Sequence, residues 1–350
     1  MDKTSSLPKP VNSIPNLFIY LGTYEGRVFS LKFSPKDKKI IDKFSFPASS
    51  NALRVIYHNS SFLFVSGTDE IIHMYDLNNK TSNGDLVTYS GSINDIKVCN
   101  NWLIACGDES TIPLWRMSDF NNIINIKGHK GAVISADIHH NGAFLVTCGR
   151  DKRIIIFDML TGRKIEKFEI EYICNKVELF HKSKFLLAVF DLHVYIMDLF
   201  KNSTQKEEAI IQKLNFNKKV LNAFVVKTQL IIFFNDGEVR MFNLIFEDKQ
   251  YKPFNEENYI SCKLETPERE SESDLEIKLR FVSISRSQKV KMLTVVYTNN
   301  EIYLFDLNKI LKMNKLEKEK DNKTLHQINK FYKVNFIMKE KITCIDSEFI

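Results

Sequence analysis

Apolar residues along this chain fall into short runs, often alternating with polar ones, and clusters of Gly, Asn, Asp and Ser separate them. The fullest example is Gly128 to Asp158, GHKGAVISADIHHNGAFLVTCGRDKRIIIFD. Ala132 to Ile138 alternates as a strand, and His140-Asn141-Gly142 turns the chain. Ala143 to Cys148 is a second apolar strand. Gly149 to Lys152 is a tight turn, and Arg153 to Phe157 is a third strand ending on Asp158. Strands of this length with such punctuation are hairpin signals. The same series recurs in front of it, at Ala52 to Asp76 and Ser92 to Trp115. It recurs behind it at Asn175 to Asp198, Val220 to Phe242 and Lys278 to Asp306. An incomplete copy, Leu17 to Phe33, opens the chain with its first strand missing and Ile40 to Phe46 following as an outer strand.

Gly-His, three short strands and an aromatic-Asp ending make the pattern of a WD repeat, one four-stranded propeller blade per repeat. The closing aromatic or Met falls at Tyr75, Trp115, Phe157, Met197, Phe242 and Phe305, at intervals of 40, 42, 40, 45 and 63 residues. The first four fit the WD period of about 40–45 residues, and an insertion stretches the last. Each unit alone exposes an apolar face, so neighbouring blades must stack. The C-terminal run Glu340 to Ser347 alternates as an inner strand should, and Lys341 to Phe349 is expected to supply the strand missing from the first blade. That pairing would remove the open edge. The fold class is therefore all-β, a seven-bladed WD-repeat β-propeller of residues 17–350 closed by its C-terminal strand. Residues 1–16, polar with Pro8, Pro10 and Pro15, read as a disordered tail.

Two segments interrupt the pattern. Residues 246–278 hold ten acidic and five basic residues, with ERESESD at Glu268 to Asp274, and read as a solvated loop between blades six and seven. Residues 308–333 hold eight basic and three acidic ones. The basic insertion proper is 308–326, and the outer strand of blade seven is expected near Gln327 to Phe336. Both segments also fit ordinary surface insertions.

Composition narrows the chemistry. The net charge of +6 is mild and does not specify nucleic acid. The six cysteines are spread without a CxxC and read as reduced core thiols. No apolar run reaches the roughly 18 residues of a membrane span, and no signal peptide is expected. His139-His140 sits at a strand-to-turn junction, where neighbouring side chains would point to opposite faces, with no carboxylate or thiol cluster beside it. A metal site is not expected there. His129, Thr147 and Asp151 instead read as the buried hydrogen-bond network of a WD blade, truncated because Phe157 stands where a Trp would donate. GxGxxG, GxSxG, HExxH and phosphate-loop patterns are absent. The chain reads as a non-enzyme with no cofactor.

Turns between second and third strands should share one rim. They carry Tyr24 and Glu25, Asp69 and Glu70, Asp108 and Glu109, then Arg150 and Lys152, so the rim is acidic over three blades and basic at the fourth. A polarised docking face explains this; so does the plain suitability of Asp and Gly for tight turns. A second candidate contact is the basic segment Lys309, Lys312, Lys315, Lys318, Lys320 and Lys323. Clustered Lys attracts phosphates without base stacking, and fits protein contact equally.

Several stretches go beyond a generic WD repeat: GTDEIIHMYD at Gly67 to Asp76, GDLV at Gly84 to Val87, SGSI at Ser90 to Ile93, and KGHKGAV at Lys127 to Val133. With Gly22 to Glu25 and Ile342 to Cys344, they resemble the eukaryotic WD-repeat family of p21-activated-kinase-interacting proteins, whose fungal members are assembly factors of the large ribosomal subunit. The resemblance covers residues 17–160 and the last ten; residues 165–335 diverge. It implies a nuclear, nucleolar, non-enzymatic scaffold in ribosome biogenesis. It would be a monomer within a large complex, bound to ribosome assembly factors, ribosomal proteins and pre-rRNA phosphates, and independent of membranes. It implies, alternatively, a negative regulator of a p21-activated kinase. A WD subunit of an unrelated complex is the third reading.

Overall fold

The computed structural model describes residues 16–349 apart from 35, 38, 89–90, 201–208, 248–249, 257, 265–276, 286–291, 308–325, 329–331 and 335–340. Seven sheets, antiparallel apart from one added strand in blade six, radiate from a central channel. Their inner strands are, in ring order, Ile342–Phe349, Leu53–His58, Ile93–Cys99, Val133–Ile138, Lys176–Phe180, Val220–Val226 and Leu279–Ile284. Each touches the next, and the last touches the first. The chain is a seven-bladed WD-repeat β-propeller.

The reason for the ring lies in the burial pattern. The second strand of each blade is apolar on both faces; Phe144–Gly149 and Met292–Tyr297 are buried at every position. A sheet with two apolar faces needs a neighbour on both sides, and a ring provides that for every blade. The core accordingly divides into seven clusters, one at each blade junction. Phe157 and Leu145 of blade four, for example, pack on Ile104, Cys106 and Leu114 of blade three.

Ring closure occurs as expected. Ile342–Phe349 pairs antiparallel with Leu17–Thr23, Leu17 opposite Phe349 and Gly22 opposite Cys344. The sheet order is Lys39–Pro47, Arg27–Ser34, Leu17–Thr23, Ile342–Phe349. Gly22 is required here, because a Cβ would collide with the Cys344 sulfur and press on Leu53. The Thr343 hydroxyl donates to the Gly22 carbonyl at 3.1 Å, and the Tyr24 amide donates to the Lys341 carbonyl at 2.9 Å. Ile342 is fully buried against Leu17, Ile19 and blade seven.

In blades one to five the third-to-fourth-strand pairing, or its equivalent in blade one, shifts register by one residue. The shift falls at Trp115, Phe157 and Met197 in blades three to five, at the repeat-closing position. A bulge there increases the twist of the outer strand.

Two expectations are corrected. The acidic stretch 246–278 is not all loop. It contains Tyr259–Leu264, the outer strand of blade six, and most of a short hairpin, Ile245–Glu247 with Gln250–Lys252. Cys262 and Leu264 alternate inward and are buried, a local apolar pattern that the charge average hides. Second, the outer strand of blade seven is only Tyr332–Val334, paired with Ile302–Asp306. His326–Ile328 instead pairs in parallel with Tyr259–Leu264, as a fifth strand of blade six. The ERESESD run and Lys309, Lys312, Lys315, Lys318, Lys320 and Lys323 lie outside the described residues, as does the tail 1–15.

Deleting residues 342–350 should abolish cooperative unfolding, because it exposes the edge of Leu17–Thr23 and opens two junctions at once. The milder Ile342→Ala should lower the unfolding free energy by about 2–5 kcal/mol. Urea unfolding followed by tryptophan fluorescence and circular dichroism checks both. A truncated chain that melts like the full one would refute the closure.

Candidate interaction face

Blade four shows how its turn is held. His129 lies under the turn between second and third strands, its Nδ1 2.9 Å from an Asp151 carboxylate oxygen and its Nε2 2.8 Å from the Thr147 hydroxyl. A carboxylate only accepts, so Nδ1 carries the proton and Nε2 accepts from Thr147. Asp151 also accepts the Lys130 amide at 2.9 Å. Burial pushes the His129 pKa down, against the pull of Asp151. A Cβ at Gly149 would run into both His129 and Asp151, so the turn needs glycine there. The expected His129–Thr147–Asp151 network is present, and Phe157 packs beside His129 with ring centroids 6.3 Å apart.

This clamp presents the next residues outward. Arg150 and Lys152 are exposed, and Lys152 has a φ of 57°. The matching turns place Gly26, Glu70, Gly237 and Asn300 at φ of 77°, 58°, 83° and 62°. Five of the seven turns thus hold a left-handed residue, a conformation glycine adopts freely and Glu or Lys at a cost. Glu70 and Lys152 occupy positions where glycine would be more comfortable.

The predicted rim residues differ in what they offer. Tyr24, Glu25, Glu70, Glu109, Arg150 and Lys152 are exposed. The Asp69 carboxylate instead turns inward, accepting the Ser49 hydroxyl at 2.7 Å and meeting His73 at 3.0 Å, which together hold its pKa down against desolvation. Asp108 is partly engaged, with Arg54 at 3.4 Å and the Asn94 amide at 3.0 Å. The negative charge offered by the first three blades is thus smaller than the sequence implies.

Other residues on this face were not legible in advance. The first-to-second-strand pairing skips one residue in blades two, three, four, six and seven, namely Arg54, Asn94, Ile134, Leu221 and Arg280. Bulges re-aim side chains. Arg54, Asn94, Leu221 and Arg280 line a depression at the channel mouth with Thr343. Arg54, Asn94 and Ile134 also open onto a groove that runs out past Arg150 and Lys152 to Tyr172, Ile173, Leu192 and His193. The only hint in sequence was that these residues break the alternation of otherwise regular inner strands.

Within the channel, side chains of one inner strand bond to the next blade. Asp346 accepts the His58 amide at 3.0 Å, and Asp95 accepts the Ser135 hydroxyl and Ala136 amide at 2.8 and 3.2 Å. Asp137 accepts the Leu179 amide at 2.7 Å, and the Lys176 ammonium donates to the Ala223 carbonyl at 2.9 Å. The Tyr57 hydroxyl donates to Val98 at 3.1 Å, and Ser283 and Ser347 bond at 3.0 Å. Asp95, Asp137, Lys176 and Asp346 therefore help to hold neighbouring blades together. Burial pushes the Asp137 carboxyl up to about 6, with Lys97 opposing, and lowers the pKa of Lys176 against the pull of Glu178.

His139 and His140 do not point apart as their strand position implied. Val133–Ile138 ends before them, and their rings lie 4.2 Å from one another. His139 bonds to Asn141 and His140 to Ser183. Among the described residues no group of three His, Cys, Asp or Glu side chains is placed to hold a metal ion. Five of the six free cysteines are buried, and no described helix is long and apolar enough to cross a membrane.

Comparison with known proteins agrees with the fold. The family model "WD domain, G-beta repeat" matches residues 120–158, which is blade four with the strand leading into it. The chain is similar to a "p21-activated protein kinase-interacting protein 1-like" of Danio rerio, 25% identical over 232 residues, which is 64% of this chain and 60% of that protein. "Protein MAK11" of Saccharomyces cerevisiae is 23% identical over 187 residues, 45% of each chain. "Shk1 kinase-binding protein 15" of Schizosaccharomyces pombe is 21% identical over 173 residues, 48% of this chain and 50% of that one. The match thus spans about three fifths of the Danio relative and about half of the yeast ones. The resemblance to p21-activated-kinase-interacting proteins read from the sequence is borne out by these relatives.

The Asp137 carboxyl gives a pH test. Its folded pKa lies above the unfolded value, so its stabilising contribution is full below about pH 4 and is lost as the pH rises through 6. Asp137→Asn removes that dependence. Between pH 4.5 and 7.5 the native chain should lose about 1–2 kcal/mol relative to the variant, a figure discounted for solvent in the channel. Parallel urea titrations of both proteins check this; identical pH slopes would show that the carboxylate is freely solvated.

Proposed function

We propose that this propeller is a non-enzymatic scaffold in large (60S) ribosomal subunit biogenesis, binding pre-ribosomal particles in the nucleolus. The likeness to Protein MAK11 and the kinase-interacting relatives carries this reading, because the family resemblance implies that role. The architecture supports it. A closed ring whose buried charges are used up between blades offers rigid faces rather than a reaction centre, and rigid faces bind without loss of conformational freedom. Assembly factors and ribosomal proteins are the partners proposed for the upper face. Pre-rRNA phosphates are proposed for Lys309 to Lys323, where sequence-independent attraction suffices.

A second reading follows from the relatives' names, two of which contain kinase binding: the ring would occlude a p21-activated kinase and act as its negative regulator. A WD subunit of an unrelated complex is the remaining alternative.

Affinity purification of the tagged chain, with sequencing of bound RNA and mass spectrometry of bound proteins, separates them. The proposal expects large-subunit precursor RNA together with assembly factors, and a nucleolar signal for the fluorescent fusion. Replacing the six lysines from Lys309 to Lys323 with Gln should flatten the salt dependence of particle association. A kinase recovered after nuclease treatment, without ribosomal RNA, would overturn the proposal in favour of the regulator.

A further inference from the structure

The groove on the upper face between the channel mouth and blade five differs from the rest of the surface in two independent ways. The first is apolar exposure. Tyr172 and Ile173, in the linker from blade four to five, are 39% and 43% exposed, and Leu192, in the blade-five turn, is 42% exposed. Single exposed apolar residues are ordinary, but these three line one groove. The second is charge. On the opposite wall Arg150 and Lys152 have no acidic partner among the described residues, and Arg54 stands behind them, held by Asn94 at 2.8 Å and Asp108 at 3.4 Å.

The carboxylates in the groove do not neutralise these cations. Asp191 takes the Asn175 amide at 2.8 Å and faces Lys219 at 3.5 Å. Glu171 is exposed and forms no ion pair with Arg150 or Lys152 among the described residues. The positive charge of Arg150 and Lys152 is left over, beside an aliphatic wall. Lys152 holds its place in a left-handed turn where other blades use Gly26 and Gly237.

We propose that this groove is a docking site for an extended protein segment that presents an acidic residue to Arg150 and Lys152 and an aliphatic side chain to Ile173 and Leu192. Complementarity selects this occupant. Nucleic acid would bring phosphates to the same cations, but base stacking needs an open aromatic face. Tyr172 already stacks on His193, with centroids 4.3 Å apart and planes 27° from parallel. Aliphatic walls with carboxylates beside them favour a peptide over a polyphosphate chain. The His129 clamp holds the basic wall, and on the other wall the Tyr172–His193 stack and the bond from the Phe216 amide to the Leu192 carbonyl fix the backbone before binding, so little ordering is needed on the protein's side. The inference stands on this geometry and does not depend on which complex the propeller serves.

The test is a selection of random dodecapeptides displayed on phage against the immobilised full-length chain, followed by fluorescence anisotropy of the recovered peptides and of an oligouridine RNA. Recovered peptides should combine Asp or Glu with Leu, Ile or Val. They should bind about tenfold more weakly to Arg150→Glu/Lys152→Glu and to Leu192→Ser. Lys152→Gly relieves the left-handed strain, so it should keep or raise the melting temperature while still weakening the peptides, which separates binding from folding. Lys164→Glu, on the outer strand of blade four, should leave affinity unchanged. Basic or featureless peptides, no enrichment, equal binding to the groove variants, or oligouridine binding lost on Arg150→Glu/Lys152→Glu while peptides are unaffected would each overturn the proposal.

Discussion

The pairing of Ile342–Phe349 with Leu17–Thr23 is the constraint on which everything else rests. Each blade is a thin sheet with two apolar faces, unable to bury them alone. Seven units in an open arc, blade one lacking its inner strand, would leave two such faces in water, together with the unpaired edge of Leu17–Thr23. The terminal strand removes all three defects at once. It completes blade one, brings Ile342 against blade seven, and lets Asp346 reach the His58 amide of blade two. That Gly22 cannot bear a side chain beside Cys344 shows how closely the two ends of the chain approach.

Once the ring is closed, the charges inside it have local work. Asp95, Asp137 and Asp346 each accept backbone amides from the following blade, where an Asn or Ser would bond more weakly. The cost is a crowded channel in which Asp137 resists ionisation. Exposed side chains without such bonds, among them Arg150 and Lys152, lie on the face of the ring. There the His129 clamp and the inner-strand bulges hold exposed side chains on a stiff frame, the arrangement a scaffold needs.

Much of the fold was legible because its signals are local. Alternation placed the three inner strands of most blades, and Gly, Asp and Asn marked the turns. The C-terminal alternation, set against a first blade lacking its inner strand, located the closure. What escaped depends on partners distant in sequence. Tyr259–Leu264 was hidden by acidic neighbours, since a charge average over the segment swamps Cys262 and Leu264 pointing inward. Asp69 looked like a rim charge because its captor, Ser49, lies two strands earlier. Arg54 and Asn94 break the alternation of their strands, but that alone does not bring them to the channel mouth, because a bulge is defined by register against the next strand. Ile173 and Leu192, in a linker and a turn, carry no sign in the sequence that they stay exposed.

The central claim, that the two ends of the chain form one stable sheet, is tested most directly by native-state hydrogen exchange read by mass spectrometry. Backbone amides in closed central strands exchange only through large-scale opening, whereas a loosely attached terminal strand exchanges by fraying. Amides of 342–349 and of 17–23 should be protected to the same degree as those of Val133–Ile138 and Phe144–Gly149 in blade four, and should open together. Fast exchange of 342–349 with blade four still protected would show that the ring stands without its terminal strand, and would contradict the account.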